Sequence, residues 1–219
     1  MPEPITIMVV AAGGGGVLWE LARRQFRIFK ELMDMVGGVI GLMLFGPVML
    51  ICAAMIKLAD PVGPVMYRQV RVGRNGRLFT IFKLRTMYMD AEAHGKVQWA
   101  GKDDPRVIGI CRWMRRSHMD ELPQLINILR AEMSMVGPRP ERPEMFESLT
   151  AELPDYEKRL AVKPGLTGLA QINVGYDVDV NTVRRKLEMD LEYIETMSLG
   201  MDVKVIAATV GKFNDRSAR

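Results

Sequence analysis

Two carboxylates stand side by side at Asp120 and Glu121, in the stretch SHMDELPQLINIL that covers residues 117–129. Arg112, Arg115 and Arg116 lie just upstream, and Pro123 with an amphipathic run lies just downstream. Two chemistries suit that arrangement. In the first, the acids cap a helix, satisfying free N–H groups and opposing the positive end of its dipole. In the second, they handle phosphate. A helix N-terminus attracts phosphate, and an ionised carboxylate can attack phosphorus or coordinate magnesium. The arginines would screen the carboxylate from an anionic substrate. The pattern predicts a helix over 120–133 with both acids ionised at its mouth, and spacing alone leaves cap and active site both open.

Other chemistries are excluded by what is missing. The only cysteines are Cys52 and Cys111, and the only histidines are His94 and His118. That rules against a disulfide framework, a zinc ribbon, an HExxH metalloprotease and a locally spaced Cys–His nucleophile, and it fits a reducing compartment. The net charge of +4 is too small to announce nucleic acid. The run AAGGGG near the N-terminus lacks GxxxxGK[ST] spacing and reads as a flexible lead-in over 1–16.

The elements that must position the acids begin with a membrane segment. Residues 35–56, MVGGVIGLMLFGPVMLICAAMI, form an uncharged run of 22, roughly 33 Å as one helix and long enough for a hydrocarbon core. Gly46-Pro47 sits near its middle, where proline removes a donor and clashes with the preceding turn, predicting a kink or break. Arg23, Arg24, Arg27 and Lys30 precede the run, and Lys57, Arg68, Arg71, Arg74 and Arg77 follow it. Both flanks therefore ask for the cytoplasmic side. A broken helix that dips into one leaflet and returns satisfies both; a kinked transmembrane helix is the alternative. Residues before the run, VLWELARRQFRIFKEL, read as a basic amphipathic helix on a membrane surface.

Beyond Lys57 the texture becomes that of a cytosolic domain. Runs at 65–72 and 78–84 flank Arg74-Asn75-Gly76, a hairpin signal, and its arginines suit anionic lipid headgroups. No stacking platform accompanies them, so nucleic acid is not an expected partner. Three prolines within VGPRPERPE present Arg139 on a stiff loop, and KPGLTG at 163–168 reads as a turn. Val180, Val183, Leu187, Leu191 and Ile194 make one helical stripe. The expected fold class is α/β, mainly helical, with a Pro-broken re-entrant membrane helix and a basic β-hairpin. Its expected divisions are 1–16, 17–57 and 58–219.

The segments RQVRVGRNGRLFTIFKLRTM, DDPRV, RRSHMDELPQLINILRAEMSMVGPRP and VKPGLTGLAQIN, in this order after a Pro-containing apolar helix, closely resemble the bacterial sugar transferase family. The resemblance runs from about Phe29 to Phe213. It implies a monotopic phosphoglycosyl transferase at the cytosolic face of the bacterial inner membrane. Such an enzyme moves a sugar 1-phosphate from a UDP-sugar to polyprenyl phosphate, releasing UMP, with membrane lipids as further partners. By resemblance, Asp120 is the nucleophile and Glu121 helps hold Mg²⁺. Arg115, Arg139, Lys83 and Arg85 fall to substrate binding, and Gly46-Pro47 to the helix break. The resemblance leaves the sugar and any homo-oligomeric state open, as it does a non-catalytic scaffold or lipid-binding protein that kept the fold. Two departures stand out. Glu31 occupies the place of an arginine between Lys30 and Asp34, and Val174-Gly175-Tyr176 replaces Gly-Arg after the QIN of 171–173, leaving Arg184 or Arg185 as candidate substitutes.

Overall fold

The computed structural model describes residues 15–89, 104–174 and 180–212, with only the helical backbone described at 15–24 and 212. Residues 1–14 of the lead-in expected over 1–16 lie outside the described residues, as does the Gly175-Tyr176 departure, while residues 15 and 16 are already helical.

A single helix, α1 (Gly15–Ala59), carries the whole apolar run. It continues through Pro47 instead of ending there, so the interruption expected at Gly46-Pro47 does not divide it. One proline forfeits one intrahelical bond, and the turns on either side keep theirs. Gly46 is not a packing requirement, since a Cβ there would meet nothing within 4 Å. The tight positions are elsewhere: a Cβ on Gly38 would lie 2.9 Å from Leu129 and one on Gly41 3.0 Å from Leu125. These glycines let α1 lie close against α3 (Gln124–Leu129). Its other side is bare, with Met43 77 % and Leu50 73 % exposed, and α1 over 25–59 is long and apolar enough to cross a membrane.

Strands β1 (Met66–Val72) and β2 (Leu78–Leu84) pair antiparallel with Arg68 opposite Phe82 and Arg71 opposite Phe79. Asn75 at φ 56° and Gly76 at φ 75° supply the left-handed pair that a tight hairpin needs. The hairpin matches its sequence signal within a residue. Its arginines do not all face outward, however. Arg71 turns inward and donates to the Pro140 carbonyl at 3.0 Å. On the far side of β2, the fully buried Asn127 accepts from Phe82 N at 3.2 Å and donates to Thr80 O at 2.8 Å. A side-chain amide thus continues the strand ladder and seats α3 on the hairpin.

The helix expected over 120–133 is instead three pieces. After α2 (Arg112–Arg116), Met119–Glu121 form a 3-10 turn, then α3 follows, and the chain reverses at Ala131 with φ 58° into β3 (Ser134–Val136). Pro123 lacks an N–H, and the i→i−3 bonds Glu121 N to His118 O and Leu122 N to Met119 O tighten the turn ahead of it.

Past α4 (Pro143–Glu152) and a 3-10 segment at Tyr156–Ala161, KPGLTG does more than turn. Its Gly165–Thr167 form β4, parallel to β3. A Cβ on Gly165 would fall 2.1 Å from Gly137 N, so only glycine permits this approach. Then come α5 (Leu169–Asn173), α6 (Val180–Thr196) and α7 (Leu199–Lys212). Val183 and Leu187 of the α6 stripe pack with Leu153 and Tyr156, while Val180 stays 42 % exposed. The architecture is mainly helical, with two small sheets and one long apolar helix.

A buried polar node fastens α1 to this body. Lys30 Nζ lies 2.6 Å from Asp202 Oδ2, and Tyr193 OH donates to Asp202 Oδ1 at 2.7 Å. Asp34 Oδ1 accepts from Ser134 Oγ at 3.0 Å and Met135 N at 2.9 Å. Glu31, the reversed charge, finds Lys163 at 3.0 Å.

Candidate active site

The acid pair sits where α2, the 3-10 turn, β2 and the proline loop meet. His118 precedes it at φ 53°, a left-handed bend that redirects the chain. Neither acid caps α3: Pro123 holds the cap position and no side chain bonds the free N–H groups there. The capping explanation therefore fails on geometry.

Glu121 is gripped by two cations. Arg139 Nη2 lies 2.6 Å from Oε1 and Nη1 3.2 Å from Oε2, a forked contact, while Lys83 Nζ lies 2.8 Å from Oε1. Lys83 reaches in because it alternates with Phe82 along β2. Burial by itself would raise the Glu121 carboxyl, but Arg139 and Lys83 outweigh it and hold the group well below its ordinary range. Burial pulls the Lys83 ammonium down, with Glu121 opposing. The attraction of Glu121 lifts the Arg139 guanidinium. The Arg139 side chain remains 43 % exposed, so the site opens on that side.

Asp120 differs in kind. It is 9 % exposed, and no side chain among the described residues hydrogen-bonds it. Burial, then the charge of Glu121, push its carboxyl up to about 6, with Lys83 and Arg115 pulling the other way. Asp120 is thus the more readily protonated of the two acids, because it is desolvated in a turn instead of exposed at a helix mouth. At neutral pH it is mostly ionised, poorly solvated and unpaired.

The other expected site residues divide. Arg115 is close enough to bias Asp120 and approaches Thr86 Oγ1 at 3.4 Å. Arg85 is committed elsewhere: it pairs with the Asp60 carboxylate and donates to Pro64 O at 2.6 Å and Asp60 O at 3.0 Å. Its contacts brace the loop after α1, not the acid pair. Arg184 and Arg185 are exposed on α6. Sequence reasoning missed Arg71 and Arg159, which hold the loop bearing Arg139; nothing in their spacing marks them.

No group of three or more His, Cys, Asp or Glu among the described residues could cage a metal. Magnesium does not require one, since it keeps waters and commonly takes one or two carboxylates plus substrate phosphates. Both Glu121 oxygens already accept from Arg139 or Lys83, so a cation there would have to share them.

A family profile for bacterial sugar transferases matches residues 25–216, and the chain belongs to that family. It is 41 % identical over 185 residues to the UDP-N-acetylgalactosamine-undecaprenyl-phosphate N-acetylgalactosaminephosphotransferase of Aeromonas hydrophila, covering 84 % of this chain and 43 % of that protein. It is 38 % identical over 209 residues to the UDP-glucose:undecaprenyl-phosphate glucose-1-phosphate transferase of Caulobacter vibrioides, covering 94 % and 76 % respectively. Against the undecaprenyl-phosphate glucose phosphotransferase of Komagataeibacter xylinus it is 41 % identical over 186 residues, covering 83 % and 35 %. The chain thus spans less than half the length of two of these relatives.

Proposed function

We propose that this chain transfers a sugar 1-phosphate from a UDP-sugar to polyprenyl phosphate, initiating glycoconjugate assembly. The observation that carries the reading is the asymmetry of the acid pair: Glu121 is neutralised by Arg139 and Lys83, and Asp120 beside it is buried without a side-chain partner. In the first displacement an Asp120 carboxylate oxygen bonds to the sugar-bearing phosphorus. The bond from that phosphorus to the bridging oxygen breaks, and UMP leaves with the electron pair. A lipid phosphate oxygen then attacks the same phosphorus and returns Asp120 to a carboxylate. Splitting the transfer lets UMP leave before the lipid acceptor reacts. Arg139, partly open to solvent, would meet the donor's phosphates while fixing Glu121. A magnesium ion held by Glu121, with Asp120 nearby, would neutralise the diphosphate when bound.

The same reading places α1 as a re-entrant anchor at the cytosolic face of the inner membrane, turned by a bend and not by a break at Gly46-Pro47, with 17–57 as membrane unit and 58–219 as catalytic unit. Two contacts support it. Lys30 near the start of the apolar run and Cys52 with Ile56 near its end all pack on the same body. A full crossing would carry one end away from it.

The test is incubation of the purified protein with a panel of UDP-sugars and Mg²⁺ but no lipid. Substoichiometric UMP and a gain of one sugar phosphate on the peptide containing Asp120 are expected, and Asp120→Asn should show neither. Lipid product formed at full rate by Asp120→Asn would defeat the nucleophile assignment. No turnover of any UDP-sugar, with lipid supplied, would favour the scaffold. Chelation should abolish activity and Mg²⁺ restore it; full activity under chelation would remove the metal.

A further inference from the structure

The loop that presents Arg139 cannot be held in the usual way. Pro138 and Pro140 have no N–H to donate, so the segment loses every other backbone donor and leans on its carbonyls. Each of four successive carbonyls has a donor: Pro138 O takes Gly165 N at 2.9 Å, Arg139 O takes Arg159 Nη2 at 3.0 Å, Pro140 O takes Arg71 Nη1 at 3.0 Å, and Glu141 O takes Val72 N at 2.9 Å. The two outer donors are backbone from flanking strands. The two inner ones are guanidinium groups, which also approach the Glu141 carboxylate at 3.9 Å (Arg71) and 4.0 Å (Arg159).

Those guanidinium groups are themselves braced. Arg159 Nε lies 2.8 Å from Asp190 on α6, and its guanidinium stacks 4.7 Å from the centroid of Tyr156. Arg71 Nη2 donates to Gln69 at 2.6 Å on its own strand. Neither touches the acid pair. Both act on the peptide units that set the direction of the Arg139 side chain.

We propose that Arg159 and Arg71 are positioning residues: they clamp the carbonyls of Arg139 and Pro140 so that the Arg139 fork stays aligned on Glu121. The kinetic arm of the test rests on the transferase reading above; the structural arm does not. Arg159→Lys can keep a charge beside Asp190, but a single ammonium cannot reproduce a planar fork that also reaches the Arg139 carbonyl. Misplacement by about 1 Å can cost on the order of 100-fold, so UMP release should fall by roughly tenfold to 100-fold in kcat, with little change in donor KM.

A merely structural role would add its effect to any other loss. The clamp instead acts through Arg139, so on an Arg139→Ala background Arg159→Lys should lower kcat by less than about twofold. Arg71→Met, which leaves the Arg159–Asp190 pair intact, should give the same non-additive pattern and serves if Arg159→Lys does not fold. The structure of either variant should show the Arg139–Glu121 contact opened beyond about 3.5 Å. Wild-type rates, full additivity with Arg139→Ala, or an unchanged Arg139–Glu121 fork would each overturn the proposal. Absence of turnover in the wild type with the fork opened in the variants would sink the transferase reading and leave the clamp standing.

Discussion

Two buried clusters in this molecule are built from the same ingredients, and only one is finished. At the junction of α1, β3, α6 and α7, Lys30 faces Asp202, Tyr193 completes Asp202, and Ser134 with the Met135 amide completes Asp34. In the acid pair, Glu121 is equally well completed by Arg139 and Lys83, but Asp120 is left over. Burying a charge is costly unless it is paired. The first cluster meets that requirement and fastens an anchor. The second violates it at one carboxylate, which is the condition for reactivity at the expense of stability.

The largest effect separating them should come from Asp120→Asn. The neutral amide cannot attack phosphorus, so transfer should fall by on the order of 10³-fold or more in a UMP-release assay. The same substitution removes a desolvated charge and should raise thermal stability at neutral pH. Lost activity with lowered melting temperature would place Asp120 with the structural cluster. The mirror experiment is Asp202→Ala, which removes the closer partner of buried Lys30 and leaves it Asp34 at 3.9 Å. It should cost about 3–5 kcal/mol of stability by denaturant titration, with turnover per folded molecule retained.

The pH dependence sharpens the contrast. Asp120 titrates at about 6 in the folded protein against 3.8 as a free side chain. Its folded value is raised, so the stability it permits is fully present below about 3.8 and declines as pH rises through about 6. Comparing wild type with Asp120→Asn across this window isolates the slope, because Glu121, held low, contributes oppositely in both. Formation of the sugar phosphate adduct should rise over the same interval as the carboxylate appears. A rate flat between pH 5 and 7.5, taken as roughly one unit or more on either side of the expected midpoint, would break the link.

How much of this was legible beforehand follows from how local each cause is. Asn75-Gly76 dictates its own hairpin through left-handed dihedrals, and that element was readable to a residue. The acids themselves were readable as a motif. Their unequal environments were not, because these depend on Lys83 from β2 and Arg139 from a distant loop. The helix expected over 120–133 failed at Pro123 and Ala131, where a proline and a left-handed turn overrode an amphipathic pattern. KPGLTG looked like a turn because three residues of parallel strand leave no periodicity, only glycines whose close approach to Gly137 appears once the chain is folded.

Arg85 offers the smallest effect and the finest discrimination between motif and geometry. Sequence similarity groups it with Lys83 two positions earlier on the chain, as a substrate-binding cation. Strand alternation would put the two on one face, but β2 ends at Leu84 and Arg85 leaves it. Lys83 enters the acid pair, while Arg85 packs over Gly63 so closely that a Cβ there would lie 2.5 Å from its guanidinium carbon. Its donors are spent on Asp60 and on the carbonyls of Asp60 and Pro64. Arg85→Gln should therefore loosen the exit from α1 and lower the melting temperature, with kcat and donor KM each within about threefold of wild type. Lys83→Met should do the reverse, with a loss of about tenfold or more in kcat/KM, since it frees one side of Glu121. If Arg85→Gln instead raised donor KM tenfold at an unchanged melting temperature, the donor would have to draw Arg85 away from Asp60. The loop after α1 would then belong to the site.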